Sequence, residues 1–264
     1  MYYLILALVS LAVTAIGVAY YIHFFSVGYG FAISAISLTL CILFFPILTL
    51  PNLIMAILLF LYGLRLGGYL LIRERKNPNY NKRVGGDIKD GKSISFGAKA
   101  AMWISCALLY LLMTSPLFFR MELGPLLSWS PCAIIGIVLM VLGIFLEVMA
   151  DFQKSDAKKK NPGRFVDKGL YRFVRCPNYL GELLLWTGVF VAGCPAMHGW
   201  QWIPAVLGLI LIFYVMFSGA RRLEIRQEKS YGSDPEYQKY VKKVPIIIPF
   251  IPLHSVMKFG FLKA

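Results

Sequence analysis

Polar positions along this chain are few and grouped, and the apolar stretches between them are long. A helix that crosses a membrane needs about 20 mostly apolar residues. Seven stretches meet that need, at about residues 2–22, 26–45, 52–72, 98–119, 129–150, 180–197 and 201–219. The pattern predicts an all-α polytopic transmembrane bundle of about seven spans. Pro46 and Pro51 bracket the second connection, and Pro116, Pro125 and Pro131 punctuate the fourth, where helix breakers are tolerated at span ends. Gly63, Gly67 and Gly68, and Gly136 and Gly143, are spaced so that helices can approach closely.

One long polar passage separates two strongly apolar blocks. It runs from Asp151 to Glu182 and contains eight Lys or Arg side chains: Lys154, Lys158, Lys159, Lys160, Arg164, Lys168, Arg172 and Arg175. It closes with Pro177, Asn178, Tyr179, Gly181 and Glu182 at the start of the next apolar run. A basic loop that feeds polar side chains into a membrane entrance is what a large anionic cofactor would need.

Composition agrees with the pattern: 58% of residues are hydrophobic, 15% are charged and the mean hydropathy is +0.67. Residues 1–264 are expected to form one integral membrane domain. The first apolar run has no basic residue ahead of it and no small-residue cleavage site before His23, so it reads as a true span rather than a cleaved leader. The formal net charge is +14. The basic residues flank apolar runs and no nucleic-acid motif accompanies them, so nucleic acid is not the expected partner. They fall in the third connection, the fifth connection and the C-terminal tail. The second and sixth connections have none, and the fourth has only Arg120. Basic loops stay on the cytoplasmic side, which places the N-terminus outside and the C-terminus in the cytoplasm; Lys158 to Lys160 read mainly as determinants of that orientation. Gly85, Gly86 and Gly91 with Asp87, Lys89 and Asp90 mark a flexible cytoplasmic turn. The five cysteines form no CxxC or metal-ligand spacing and the three histidines are scattered, so neither a disulfide framework nor a metal site is expected. The halves share no repeat of the transporter kind.

Ionisable groups near span ends are costly unless they face a cavity or a partner, so they become site candidates. Arg65 lies well inside the third span, with Tyr62 and Tyr69 on its helical face. Glu147 and Asp151 share a face at the end of the fifth span, and Asn178 and Glu182 share one at the start of the sixth. Arg221 and Arg222 end the seventh, followed by Glu224 and Glu228 one turn apart. Structural roles compete at each position. Arg65 is suited to pair with Glu147 or Glu182, Asn178 to cap its helix, and Glu224 and Glu228 to pair with basic neighbours on a surface helix.

The run GLYRFVRCPNYLGELLLWTG, from Gly169 to Gly188, resembles the C-terminal signature of the membrane steroid 5-alpha-reductase-like superfamily. The segment YGLRLGGYLLIRERKNPNY, from Tyr62 to Tyr80, is similar to that superfamily's earlier Tyr and Arg motif, and the likeness extends through Glu147 and Asp151 to the closing Ile248–Phe250, covering about residues 60–250. The resemblance implies an NADPH-dependent reductase of a carbon-carbon double bond in a lipid or steroid-like substrate, with the cofactor site facing the cytoplasm. It implies cofactor contacts at Glu147, Asp151, Arg164, Asn178, Glu182, Arg221, Arg222, Glu224 and Glu228. Tyr62 would be the proton donor beside the substrate carbonyl, with Arg65 next to it. Arginine forks suit phosphate oxygens, and no GxGxxG follows a strand, so a Rossmann site is not expected. The steroid enzymes carry an early Gln-Glu pair for the substrate ketone. This chain has no Glu, Asp or Gln before Glu74.

A second resemblance leads to a different chemistry. Lipid and isoprenylcysteine methyltransferases share a run Arg-His-Pro-Xaa-Tyr-Xaa-Gly, and the tail YGSDPEYQKYVKKVPIIIPF, from Tyr231 to Phe250, is similar to theirs, although Cys176 replaces the histidine. That alternative implies S-adenosylmethionine as cofactor, which carries no phosphate and has less use for a ring of arginines. A non-catalytic membrane protein would leave Arg65, Asn178 and Glu182 without a task.

Overall fold

The computed structural model describes residues 1–19, 24, 26–76 and 94–262. The turn expected around Gly85 to Gly91, the Asn77 to Tyr80 end of the Tyr and Arg motif, and His23 lie outside the described residues. Among the described residues every regular element is a helix: α1 (Tyr2–Thr14), α2 (Ile16–Ala19), α3 (Val27–Leu43), α4 (Leu50–Lys76), α5 (Phe96–Leu123), α6 (Pro131–Lys160), α7 (Pro177–Gly193), α8 (Trp202–Tyr231) and α9 (Pro235–Lys243), with short 3-10 turns between them.

Five stretches are long and apolar enough to cross a membrane, Leu50–Arg73, Phe96–Leu127, Pro131–Lys160, Pro177–Ala196 and Gly199–Tyr231, and two shorter apolar helical stretches, Tyr2–Val18 and Val27–Leu43, precede them. The protein is a polytopic, integral membrane helical bundle, with apolar helices in the seven expected places. The expected first span is interrupted at Ala15 and its leading helix has 13 residues. Several helices outrun their apolar stretches. At 1.5 Å per residue, the 30 residues of α6 span about 45 Å, against about 30 Å of hydrocarbon. Its last ten residues, DFQKSDAKKK, are too polar to count as span, yet their Gln, Ala and Lys content favours helix, and Asp156 and Lys160 pair across one turn at 2.7 Å.

The chain packs as two compact units, Met1–Ile137 with Val189–Leu209 and Val138–Gly188 with Ile210–Ala264. In the first, α3 and α4 touch backbone to backbone: a Cβ on Gly30 would sit 2.5 Å from the Gly67 nitrogen and 2.7 Å from the Gly63 carbonyl oxygen. Ser34 and Ser37 donate across the same seam to the carbonyls of Phe60 (2.8 Å) and Ala56 (2.6 Å), the small-residue packing that membrane helices use when water supplies no driving force. In α5, Pro116 offers no N–H to the carbonyl of Leu112, and the Ser115 hydroxyl donates there instead at 2.8 Å. Arg120 belongs to the last turn of α5 rather than to a loop and is fully buried. Its fork donates to Asn52 Oδ1 at 2.8 Å, to the Ala192 carbonyl at 3.1 Å and to the carbonyls of Leu127 and Ser128. So complete a set of acceptors makes it a clamp.

In the second unit α6 and α7 meet at Gly143 and Gly181, where a Cβ on either would lie 2.5 Å from the other's carbonyl oxygen. The core gathers Cys176, Leu183 and Ala220 from α7, its lead-in and α8 around Ile246, Ile247, Val256 and Leu262 of the C-terminal segment. Two backbone bonds fasten that segment to the start of α7, Arg175 N–H to the Pro245 carbonyl (2.9 Å) and Cys176 N–H to the Ile246 carbonyl (2.8 Å). Asp234 caps α9 by accepting from the Glu236 N–H at 2.8 Å. Phe165 leaves the basic loop to pack against the rings of Tyr231, Tyr237 and Tyr240. Lys158 donates to the Tyr231 hydroxyl at 2.8 Å and to the Arg164 carbonyl, so it anchors this loop besides carrying charge.

Candidate functional site

The candidates divide between the two units. On α4 in the first unit, Tyr62 is wholly buried and its hydroxyl donates to the Tyr29 hydroxyl at 3.0 Å. The ring of Tyr29 lies 5.0 Å from that of Tyr110, whose own hydroxyl donates to the Phe24 carbonyl. Tyr62 is thus one member of a buried run of phenols, the other members of which carried no sequence motif. Arg65 lies over the ring of Tyr69 at 5.6 Å, and Arg73 lies over the same ring at 5.7 Å. The expected helical face linking Arg65 to Tyr69 is therefore present, and it holds the guanidinium against an aromatic plane.

In the second unit the glycine contact sets the geometry. Because Gly181 has no side chain, the Glu147 Cγ can come within 2.9 Å of where its Cβ would be. Glu147 on α6 is thereby brought against the turn of α7 that carries Asn178 and Glu182. Glu147 and Glu182 are 3% and 5% exposed, so two carboxylates are buried at one helix contact. The Trp186 indole N–H donates to Glu182 Oε1 at 3.0 Å, one turn along α7, and fixes that carboxylate's orientation. Asp151 follows Glu147 by one turn of α6 and is half-buried, as is Asn178.

The α8 candidates are held by the C-terminal segment. Glu224 is 3% exposed; its Oε1 accepts from Arg175 Nη2 at 2.8 Å and its Oε2 from the Val256 N–H at 2.9 Å. Arg221 Nε donates to the Met257 carbonyl at 3.1 Å, and Arg222 is exposed. Glu228 accepts from the Gln238 amide at 3.0 Å, which ties α8 to α9. The Arg164 fork is taken up on the surface by Glu236 (2.6 Å) and Asp167 (3.0 Å), and these two hydrogen bonds raise its pKa.

Sequence reasoning counted Arg175 only as one basic residue of the loop. It is 2% exposed, its Nη2 also donates to the His254 carbonyl, and its Nε and Nη1 meet no hydrogen-bond partner among the described residues. The buried Tyr237 hydroxyl lies close to Arg175. Burial pushes that phenol up to about 12, with the Arg175 guanidinium opposing the shift. The one sequence feature that could have flagged Arg175 is its place directly before Cys176 and Pro177, where the chain passes from loop into an apolar helix.

The chain matches, over residues 21–244, the family described as "Protein of unknown function (DUF1295)". It is similar to "Steroid 5-alpha-reductase DET2" of Gossypium hirsutum, 29% identical over 118 residues that make up 44% of this chain and 41% of that protein. It is also similar to "Steroid 5-alpha-reductase DET2" of Arabidopsis thaliana, 32% identical over 71 residues, 26% of this chain and 25% of that protein. The matched stretches thus span less than half the length of either relative. No solved structure matches the chain. With its second-half motifs, its all-helical membrane architecture and a match over most of its length, the chain belongs to the DUF1295 family, within the steroid 5-alpha-reductase-like superfamily.

Proposed function

We propose that the protein is a membrane-embedded reductase of a carbon-carbon double bond in a lipid or steroid-like substrate, with NADPH as hydride source. The observation that carries the proposal is the burial of Glu147 and Glu182 at the Gly143 and Gly181 contact, within a turn of Asn178. Buried carboxylates in a membrane helix contact are expensive, and the stretch that carries them is the one with the superfamily's signature.

The residues present fit a dinucleotide. Carboxylates and the Asn178 amide suit ribose hydroxyls and a carboxamide, and the exposed Arg222 with its neighbour Arg221 suits phosphate oxygens. Arg175 Nε and Nη1 add buried donors with no hydrogen-bond partner among the described residues. When bound, the cofactor would supply a hydride. In this reading the Tyr62 hydroxyl turns from the Tyr29 oxygen to give its proton to the substrate, which leaves a Tyr62 phenolate that can accept from the Tyr29 hydroxyl. The Tyr29 hydroxyl keeps that phenol oriented, and the Arg65 charge favours the developing enolate. Orientation of the basic connections to the cytoplasm would present Arg222 and the Asn178 turn to soluble NADPH.

The test is turnover by the purified protein in lipid bicelles, with NADPH and a panel of lipids carrying a conjugated carbonyl. Oxidation of NADPH coupled to saturation of the alkene supports the reading. Methyl transfer from S-adenosylmethionine, with no NADPH oxidation, would replace it with the methyltransferase alternative.

A further inference from the structure

The C-terminal segment follows α8 back toward its apolar half. Three contacts fix the direction: Val256 N–H to Glu224 Oε2 at 2.9 Å, Arg221 Nε to the Met257 carbonyl at 3.1 Å, and the Tyr214 hydroxyl to the Phe261 carbonyl at 3.1 Å. As the tail advances from Val256 to Phe261, its partner on α8 retreats from Glu224 to Tyr214. Tyr214 precedes Arg221 by seven residues, about 10 Å along the helix. It lies in the apolar run that begins at Trp202, within a helix long enough to span a membrane. The tail thereby runs from beside the last arginines of α8 to beside its apolar run.

In lipid the N–H and C=O groups of a chain outside helix or sheet need partners within the protein, and part of this backbone has them. Here the N–H groups of Leu253, Val256, Met257, Phe259 and Leu262 are all bonded, and the carbonyls of Leu253, His254, Val256, Met257, Phe259 and Phe261 all accept. The outward side chains are apolar: Phe261 is 71% exposed and Phe250 is 100% exposed. Phe250 takes a φ of 67°, a left-handed conformation that costs a bulky residue energy. Pro249 and Pro252 flank it and stiffen the loop that holds this ring outward. Lys258 reaches over the Phe259 ring at 5.6 Å.

We propose that residues 248–261 form a re-entrant lip that docks on the acyl chains of the bilayer leaflet, with Phe250 and Phe261 as its lipid contacts. Val256, Leu253 and Phe259 of this lip share one hydrophobic cluster with Tyr179, Leu180 and Leu183, so the lip couples the leaflet to the first turns of α7.

The wild-type full-length protein can be reconstituted with a phospholipid that carries a photoactivatable diazirine in its acyl chain, and the adducts mapped by mass spectrometry. Adducts at Phe250 and Phe261, with the exposed turn 161–163 left unlabelled, are the expected result. A tail free of adducts while α6 and α8 are labelled would overturn the proposal, as would labelling of the tail and of the turn 161–163 to the same extent.

Discussion

Arg175 and Glu224 form a 2.8 Å ion pair whose side chains are 1% and 3% exposed, between the lead-in to α7 and the end of α8. Glu224 also accepts from Val256 and Arg175 also donates to His254, so one pair fastens two helices to the C-terminal segment. Removing one partner leaves a buried charge uncompensated, a loss of about 3–5 kcal/mol. Arg175→Ala and Glu224→Ala should each lower thermal stability in detergent by that order. The double variant Arg175→Met with Glu224→Leu should recover much of the loss. Near-native stability of either single variant would argue against the clamp.

Gly181 admits nothing larger. An alanine Cβ there would meet the Gly143 carbonyl oxygen at 2.5 Å and the Glu147 Cγ at 2.9 Å. Gly181→Ala should cost about 1–3 kcal/mol by overpacking and displace Glu147. Denaturant unfolding of the second unit checks this, and a variant as stable as wild type would show that α6 and α7 are less closely packed.

Burial raises the pKa of Tyr237 to about 12 and raises that of Tyr240 as well. The folded protein therefore keeps these protons while the unfolded chain starts to lose them near the ordinary value of 10.0. Their contribution is fully present below that pH and is lost as pH rises toward the folded values. Unfolding midpoints measured from neutral pH upward should fall in that alkaline window, and Tyr237→Phe should flatten the fall. An equally steep fall in the variant would place the titration elsewhere.

The seven apolar stretches, the close helix contacts at Gly63, Gly67 and Gly143 and the turn shared by Asn178 and Glu182 were legible in the sequence because each rests on local spacing, whereas Gly68, with nothing within 4 Å of a Cβ there, joins no seam. The helical ends of α6 and α8 were not, since propensity rather than hydropathy extends them past the bilayer. Arg175 was hidden among eight basic side chains, because only its distant partner Glu224 makes it different from Lys159. Arg120 looked like a loop charge for the same reason: Asn52 and the Ala192 carbonyl are far away in sequence. The tail was read only as a basic, family-like ending, and its contacts with Tyr214 and Arg221 come from tertiary packing.

If Tyr62 supplies the proton, Tyr62→Phe should lower kcat by about 10²-fold or more while KM for NADPH changes little. Tyr29→Phe should have a smaller effect in the same direction, since it removes only the partner at 3.0 Å. Steady-state kinetics on the substrate found by turnover screening would decide it. A rise in KM for NADPH with kcat unchanged would move Tyr62 out of the proton-donor role.

Nicotinamide fluorescence on titration of the purified wild-type protein tests the central claim most directly. NADPH should bind saturably, and both Asn178→Ala and Glu182→Ala should weaken it by at least about tenfold, a loss of about 1.4 kcal/mol each, with the helical fold retained. Binding of S-adenosylmethionine with no NADPH signal, or NADPH affinity unchanged in both variants, would contradict it.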